Sequence, residues 1–460
     1  MSGKTETNAL RGLDELGRAL QRAERRGEPG RRSAAAEMLL SIMLPGLTSL
    51  RRMPLVGGLL LIVGVALPVI VAIRTYTGRD DLIGLALDPT FLLLVAGLGL
   101  AAVLARLLAI AEIANAYRRS PGIGLQTAIA TLAVLALGMP VLWVAYRANE
   151  ARGVVGNVFA SGDGEPLFVP AVAGPGVAPE AVKTILLLGG DAGPGRWGLR
   201  TDTMILVTVH ESSGRTALVS IPRNLTVVQF PPGSPLAARF PNGFDDLANA
   251  IFPYVSTHPE LVERYGGSGL LPEAVALSEA LGYSLDVEID DYALVNMQGF
   301  TEVIDAVGGV TLELAQRVPL PPSLPGERPL PDSIGPGLVD MDGAMAIAYA
   351  RSRSADSDYQ RMGRQRQLLA ALGSQVSASE ALSGFGRVTG VLDDSMRTSL
   401  SSNEFSSLLD RLGDNGAIQE SIGLTPPLIQ PGSPDYAVIR QIIDAAQLAV
   451  VTGTPSGYGG

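Results

Sequence analysis

The chain has 460 residues, of which 47% are hydrophobic and 17% are charged, and its formal net charge is −10. It has no cysteine and two histidines, which excludes disulfides, thiolate chemistry and cysteine-based metal sites and argues against a multi-histidine site. The acidic balance argues against a nucleic-acid partner, because such proteins need a basic face to neutralise phosphates. The apolar excess favours membrane segments.

Residues 1–50 are predicted to form a cytoplasmic segment. Leucines recur at helical spacing between residues 10 and 20, which predicts a short amphipathic helix. The stretch 34–50 is apolar, but it contains Glu37 and Pro45 and precedes two arginines. We therefore interpret this stretch as interfacial or re-entrant; a fourth membrane crossing is the alternative.

The next region, 51–148, is predicted to hold three transmembrane helices, because each apolar stretch can cross a hydrocarbon core about 30 Å thick. The predicted spans are about 55–73, 91–111 and 123–146. Arg106 lies near the far end of the second span, where we expect its side chain to reach toward headgroups.

Arginines fix the predicted orientation in the bilayer. They precede the first span and separate the second from the third, which places both regions in the cytoplasm. Three crossings then place everything after about residue 150 outside the cytoplasm. The glycine-, proline- and alanine-rich stretch 149–181 is predicted as a linker, 182–450 as one folded domain and 451–460 as a flexible tail.

Strand and helix patterns alternate within the predicted domain. Strands are predicted at VKTILLLGG, TMILVTVH, RTALVSIP, DDYALVNM and VTLEL, and helices at FDDLANAIFPYV, LPEAVALSEALG and GFTEVIDAVGG. This alternation predicts an α/β fold, with a sheet covered by helices on both faces.

Charged residues cluster where predicted strands begin or end, which is where α/β folds tend to bind ligands. Asp191 follows the first strand, Arg200 and Asp202 precede the second, and Arg223 follows the third. A guanidinium group can donate two parallel hydrogen bonds to the oxygens of a phosphate. Mg²⁺ is commonly held by one or two carboxylates together with substrate phosphates. Arginines and aspartates placed together in this way suit the binding of a pyrophosphate.

A further arginine group lies in AYARSRSADSDYQRMGRQRQ, residues 348–367. Arg351 and Arg353 point the same way if the chain is extended there. From Asp358 onward the spacing is helical. One helix face then carries Asp358, Arg361, Arg364 and Gln365. Arg366 points elsewhere and is expected to be solvated. An intrahelical ion-pair ladder, worth about 0.2–0.5 kcal/mol per pair, is the structural alternative to a ligand site.

Two other catalytic classes lack support in the sequence. GGDAGPG lacks the Lys-Ser/Thr ending of a phosphate-binding P-loop, and Ser220 has no nearby histidine for a hydrolase triad.

The sequence resembles the LytR-CpsA-Psr family of bacterial cell-wall assembly enzymes. The resemblance runs from about Lys183 to Leu369 and includes ILLLGGDAG, LRTDTMILVTV, ALVSIPRNL, FTEVIDAVGGVTLEL and the run from MDGAMAIAYARSR through SDYQRMGRQRQLL. It implies a three-layer α/β/α sandwich outside the bacterial plasma membrane. It also implies transfer of a glycan phosphate from a polyprenyl-pyrophosphate-linked glycopolymer to peptidoglycan or another wall glycan acceptor, with release of polyprenyl phosphate.

The resemblance also implies roles for individual residues. Asp191 and Asp202 would hold Mg²⁺, or Mn²⁺, on the pyrophosphate. The residues that would contact pyrophosphate oxygens are Arg200, Arg223, Arg351, Arg353, Arg361 and Gln365. Arg223 and Arg361 are also expected to act in catalysis, together with Asp358, which would orient Arg353 or assist deprotonation of the acceptor. Arg364 could instead pair with a carboxylate.

One residue departs from the family pattern, because Asn224 stands where the family usually has aspartate. An amide can keep the hydrogen bonds of a carboxylate but not its charge. Two alternatives to the transferase stay open: a polyprenyl-pyrophosphate hydrolase and a non-catalytic envelope-binding or signalling protein.

Overall fold

The computed structural model describes most of the chain. The described residues are 29–77, 85, 88–159, 165–170, 181–190, 201–267, 269–322, 328–352, 357–375, 395–415 and 418–459. The predicted N-terminal amphipathic helix, Asp191, Arg200 and Arg353 lie outside them. The chain divides into two compact units, Met1–Leu82 with Thr90–Asn149, and Ile83–Pro89 with Glu150–Gly460.

The first unit is helical. Its elements are α1 (Pro29–Met43), α2 (Pro54–Leu61), α3 (Leu67–Thr77), α4 (Pro89–Ala116) and the first part of α5 (Ile123–Val158), with a π-helical turn, Ile62–Ala66, between α2 and α3. Among the described residues, three helical stretches are long and apolar enough to cross a membrane, namely Pro54–Tyr76, Pro89–Ala116 and Ile123–Val158. The last of these continues into the segment predicted as a linker, whose boundaries stay a prediction.

The Arg106 side chain bonds backbone carbonyls within the first unit. Its Nε donates to the Ile42 carbonyl at 2.9 Å, and its Nη1 donates to the carbonyls of Gly64 at 3.1 Å and Ala102 at 2.8 Å. Gly64 lies in the π-helical turn. Because nearby backbone oxygens satisfy these N–H groups, the guanidinium ties α1 and the π-helical turn to α4.

The apolar stretch after residue 34 is held by packing and by one tight turn. Met38 and Ile42 of α1 are buried together with Ile110 and Ile113 of α4. At Gly46 the backbone has φ +87°, and an added Cβ would collide with the carbonyl of Gly57. Only glycine fits this turn. The interfacial or re-entrant placement of the stretch stays a prediction.

The second unit is built on a mixed six-stranded sheet with the strand order β10-β3-β2-β1-β4-β9. Its strands are β1 (Val182–Gly190), β2 (Thr201–His210), β3 (Thr216–Ser220), β4 (Asp291–Asn296), β9 (Met396–Thr398) and β10 (Ile418–Gly423). β2 runs antiparallel to β1 and β3, whereas β1 is parallel to β4 and β3 is parallel to β10. Two small antiparallel pairs join β5 (Val310–Leu314) to β8 (Gly337–Met341) and β6 (Val318–Pro319) to β7 (Ser333–Ile334).

Helices cover both faces of this sheet, which confirms the predicted three-layer α/β/α sandwich. The helices are α6 (Ile251–Ser256), α7 (Pro259–Tyr265), α8 (Pro272–Leu285), α9 (Met297–Ala306), α10 (Gly343–Arg351), α11 (Asp358–Gln375), α12 (Ser402–Asn415) and α13 (Tyr436–Thr452). Leu186 of β1 packs in one buried cluster with Leu277 of α8 and Ile442 of α13. Its neighbour Ile185 packs on the other face with Leu408 of α12. Side chains alternate along a strand, so each face has its own core.

One predicted helix starts later than expected. FDDLANAIFPYV is helical only from Ile251, after a 3-10 turn at Ala248–Ala250. The Ala248 N–H donates to the Leu225 carbonyl at 2.8 Å, so a bond to the loop after β3 holds this segment out of the helix.

The last residues, predicted as a flexible tail, contact the sheet. Gly453 ends α13 in the left-handed conformation with φ +75°. The Ser456 N–H then donates to the buried carboxylate of Glu420 in β10.

Acidic residues gather where β1 and β4 begin. The Nζ of Lys183 lies 2.9 Å from Asp291 Oδ2 and 2.7 Å from Glu404 Oε1. Asp290 instead accepts the Thr184 N–H at 2.7 Å. Burial raises the pKa of Asp290 from 3.8 to about 6. The folded protein therefore binds this proton more tightly than the unfolded chain does.

We expect Asp290→Asn to stabilise the protein at neutral pH. Because the folded-state pKa is raised, the penalty for ionising Asp290 is absent below about pH 4 and complete above about pH 6. The variant should gain about 1–3 kcal/mol of unfolding free energy at pH 7 and nothing at pH 4, since an amide oxygen can still accept the Thr184 N–H. Denaturant unfolding of the full-length protein in detergent at both pH values measures this difference.

Asp435→Asn is the control, because Asp435 is exposed and caps α13, where asparagine serves about equally well. An equal gain for Asp290→Asn at pH 4 and pH 7 would contradict the assignment.

Candidate active site

Strand directions bring Asp202 and Arg223 to one edge of the sheet. β2 runs antiparallel to its neighbours, so its first residues lie beside the last residues of β1 and β3. Asp202 is the second residue of β2, and Arg223 follows β3 after Ile221 and Pro222. The pairing of Gly190 with Thr201 places the end of β1 at the same edge.

Four charged side chains close a ring of ion pairs at this edge, which we call the charge ring: Asp202, Arg223, Asp358 and Arg361. Arg223 Nη1 lies 2.8 Å from Asp202 Oδ1, and Arg223 Nε lies 3.1 Å from Asp358 Oδ2. Arg361 Nη2 lies 3.0 Å from Asp358 Oδ1, and its Nη1 lies 3.9 Å from Asp202 Oδ2. Each carboxylate thus bridges both arginines.

α11 supplies half of this ring from its first turn. Asp358 begins the helix, where a carboxylate is favoured by the helix dipole. Arg361 lies one turn later, so the two side chains share a face. The Arg361 side chain is only 4% exposed, and its Nη2 also donates to the Asp202 carbonyl at 3.2 Å. Helix and strand are therefore joined through a buried cation.

The ring keeps Arg223 strongly cationic. Burial lowers the pKa of Arg223, but hydrogen bonds and charge from Asp202, followed by those of Asp358, raise it further than burial lowers it. Arg223 therefore carries its positive charge at any physiological pH.

Two other residues predicted to contact pyrophosphate, Arg351 and Gln365, lie in the described part of the chain. Arg351 is the exposed last residue of α10, so the predicted extended arrangement with Arg353 is wrong at this position. Alanines at four of the nine positions of α10 favour helix there. Gln365 is partly buried, one turn after Arg361. The predicted roles of Arg200, Arg351, Arg353 and Gln365 stay predictions.

Two further arginines of α11 have partners outside the ring. Arg364 is buried, donates to the Ser352 carbonyl, and lies 6.0 Å from the centre of the Tyr349 ring. Arg366 was expected to be solvated, and this is wrong, because it packs against β10 and its Nε donates to Ser421 Oγ at 3.2 Å. Burial lowers the pKa of Arg366.

One residue of the site was not found from the sequence. Asn249 is 1% exposed, and its Nδ2 donates to Asp202 Oδ1 at 3.4 Å, the oxygen that also accepts from Arg223. It lay inside a stretch predicted as ordinary helix, and no motif distinguished it. Asn224, the departure from the family pattern, has a buried Oδ1 that accepts no hydrogen bond from the described part of the chain.

One of the two predicted metal ligands lies in the described part of the chain. Asp202 offers a carboxylate with a side chain 22% exposed, and oxygen ligands of this kind suit Mg²⁺. Within the described ranges, no group of three or more His, Cys, Asp or Glu side chains could hold a metal ion. The expected site thus depends on Asp202, on substrate oxygens and on Asp191, which lies outside those ranges.

Comparison with known proteins gives matches over the same region. The profile of the LytR_cpsA_psr family matches residues 174–422. A polyisoprenyl-teichoic acid–peptidoglycan teichoic acid transferase, TagU of Oceanobacillus iheyensis, is 31% identical over 227 residues, which are 49% of this chain and 61% of that protein. The probable cell wall biosynthesis protein LcpB of Corynebacterium glutamicum is 32% identical over 54% of this chain and 52% of its own length. Biofilm regulatory protein A of Streptococcus mutans is 27% identical over 49% of this chain and 51% of its own length.

The chain therefore spans between half and two thirds of the length of these relatives. The family profile, in contrast, covers more than half of the chain and includes β1, the strand ends and all four residues of the charge ring. The chain belongs to the LytR_cpsA_psr family.

Proposed function

We propose that the chain transfers a glycopolymer phosphate from a polyprenyl-pyrophosphate-linked precursor to peptidoglycan or another wall glycan. The observation that carries the proposal is the charge ring at the edge of the sheet, where two guanidinium groups are held side by side. The names of related proteins support it, since TagU of Oceanobacillus iheyensis is named a polyisoprenyl-teichoic acid–peptidoglycan teichoic acid transferase.

The proposed reaction exchanges one phosphorus–oxygen bond for another. A hydroxyl oxygen of the acceptor attacks the phosphorus that carries the glycan, and the bond from that phosphorus to the bridging oxygen breaks. Polyprenyl phosphate leaves with the bridging oxygen, and the hydroxyl proton is released. Such transfers need little covalent participation by the protein, so positioning and charge stabilisation supply the catalysis.

We assign Arg223 and Arg361 to the oxygens of the pyrophosphate. The contacts of Arg223 with described residues use Nε and Nη1, and we assign its Nη2 to a substrate oxygen. Asp358 places both guanidinium groups, since each of its oxygens accepts from one of them. The predicted roles of Asp358 in orienting Arg353 or in assisting deprotonation of the acceptor stay predictions.

Charge balance explains why the ring alone does not suffice. Two arginines and two carboxylates sum to zero, whereas a bound pyrophosphate adds negative charge that must be offset nearby. The predicted contacts from Arg200, Arg351 and Arg353 would supply positive charge. Mg²⁺, or Mn²⁺, held by Asp202 and Asp191 would neutralise phosphate oxygens when bound.

We also propose that the protein is a multi-pass protein of the bacterial plasma membrane. The three apolar helices and the distribution of arginines support a cytoplasmic N-terminus and an extracytoplasmic catalytic domain. In this arrangement the domain lies on the same side of the membrane as the wall acceptor.

The first prediction for this proposal concerns Arg361. Arg361→Ala should lower the release of polyprenyl phosphate by at least about 100-fold, because it removes a buried donor and leaves Asp202 and Asp358 facing each other with less positive charge between them. Turnover of a polyprenyl-pyrophosphate glycan by the full-length protein in detergent measures this. Arg264→Ala in the exposed last turn of α7 is the control and should keep normal turnover. Full activity in Arg361→Ala would refute the site.

Asp202 and Asp358 differ in their assigned roles, because only Asp202 is assigned to the metal. Asp202→Asn should raise the Mg²⁺ concentration needed for half-maximal turnover by about tenfold or more, because it removes a ligand charge. Asp358→Asn removes a carboxylate from the same ring but is not assigned to the metal, so it should lower turnover without changing that Mg²⁺ concentration. Equal shifts in both variants would mean that Asp202 is not a metal ligand.

The third prediction separates transfer from hydrolysis. In ¹⁸O-labelled water with peptidoglycan present, the glycan phosphate should gain no label, because a sugar hydroxyl is the nucleophile. Label that enters the product and is unaffected by added peptidoglycan would favour the hydrolase. Binding of the lipid-linked glycan without any product, with or without Mg²⁺, would favour the non-catalytic alternative.

A further inference from the structure

Asn249 ties together the two strand-end residues of the charge ring through both its backbone and its side chain. Its backbone N–H donates to the Arg223 carbonyl at 3.3 Å, next to the bond between Ala248 and Leu225. Its side-chain Nδ2 donates to Asp202 Oδ1 at 3.4 Å. A single residue of the 3-10 turn thus fixes the position of the Arg223 backbone and of the Asp202 carboxylate.

The chemistry of this contact requires a neutral donor. Asp202 Oδ1 already accepts from the Arg223 guanidinium at 2.8 Å, and Arg361 lies on the other oxygen. A further cation would add positive charge to the ring, a carboxylate would repel Asp202, and an apolar residue would leave the oxygen with one donor fewer. An amide adds a directed hydrogen bond without changing the charge of the ring.

The remaining polar atom of Asn249 points to a role beyond packing. Its Oδ1 is buried and accepts no hydrogen bond from the part of the chain that the structure describes. Leaving a buried acceptor without a donor is unfavourable, and an apolar residue of similar size would avoid that cost. Asparagine is therefore not the choice that core packing alone would favour here.

We propose that Asn249 is a positioning residue that holds the Asp202 carboxylate in register with Arg223 for the bound pyrophosphate. The inference rests on the proposed function for the step that it affects, but the contact itself belongs to the ligand-free fold. Asn249 acts through Asp202 and Arg223, so the loss of its amide should lower kcat more than it raises KM.

Asn296 is an equally buried asparagine and serves as the matched control for Asn249. Asn296 is also 1% exposed, but its side chain accepts a hydrogen bond, from the Gly299 N–H at 2.8 Å, at the start of α9. Aspartate has nearly the same shape as asparagine in both places. At the start of a helix it accepts as well as asparagine does, whereas at position 249 it would lose the donor and face a carboxylate.

The experiment compares Asn249→Ala, Asn249→Asp and Asn296→Asp in the full-length protein in detergent. We expect kcat for polyprenyl phosphate release to fall about tenfold in Asn249→Ala and about 100-fold in Asn249→Asp, and to stay normal in Asn296→Asp. Binding of Mg²⁺ and inorganic pyrophosphate by calorimetry should follow the same order. Asn249→Ser, which keeps an O–H donor, should recover part of the activity lost in Asn249→Ala.

Thermal unfolding midpoints without ligand distinguish failure of this proposal from failure of the proposed function. The midpoint of Asn249→Asp should fall below that of Asn249→Ala, because only aspartate faces the Asp202 carboxylate. If the wild-type protein neither turns over the glycan nor binds pyrophosphate, the proposed function is wrong and the midpoints alone decide the positioning role. If Asn249→Asp equals or exceeds Asn249→Ala in midpoint, or in turnover where turnover is seen, the positioning role is overturned.

Discussion

The junction at the edge of the sheet that carries the charge ring depends on the bridging of two arginines by two carboxylates. A guanidinium as buried as that of Arg361 is unfavourable without anionic partners, and Asp202 and Asp358 supply them. These partners come from a strand and a helix that are distant in sequence, and Arg223 from a loop joins both carboxylates. The contacts that allow the charges to be buried therefore also fix where β2, the loop after β3 and α11 meet. Breaking one of them would leave an uncompensated charge and loosen the junction.

The same bridging positions the arginines for an anion, but it also weakens their attraction for that anion. Carboxylates that hold a guanidinium in place also neutralise it, so a ligand phosphate has to compete with them or arrive with cations of its own. What the ring provides is geometry: two planar donor groups whose positions are fixed before substrate binds, so that little reorganisation accompanies charge development. In the proposed transfer, affinity would come from residues and ions around the ring, whereas the rate would depend on the rigidity of the ring. This division fits phosphoryl transfer, where positioning and electrostatics dominate.

The sequence predicts the four central strands of the sheet and places Asp202 and Arg223 beside strand ends, because both follow from local pattern. Apolar runs give β1 to β4, and charged residues directly beside them must lie at strand ends. The sequence fails where a long-range contact overrides a local preference. The segment before Ile251 has helical periodicity, but its N–H groups bond the loop after β3, which brings Asn249 to Asp202 across 47 residues. The carbonyls of α1 and of the π-helical turn that bond Arg106 are likewise long-range partners that no local pattern reveals.

α11 shows why a run of arginines cannot be interpreted from charge alone. With 100° between successive residues, Arg364 lies about 60° and Arg366 about 140° from Arg361 around the helix, and all three find partners because the helix is packed on several sides. Arg361 meets the ring, Arg364 bonds the chain after α10, and Arg366 lies on β10. The last two therefore fix the rotation of the helix about its own axis. Since Asp358 and Arg361 project from the same helix, that rotation determines whether the ring can close, so the contacts of Arg364 and Arg366 contribute to the geometry of the site.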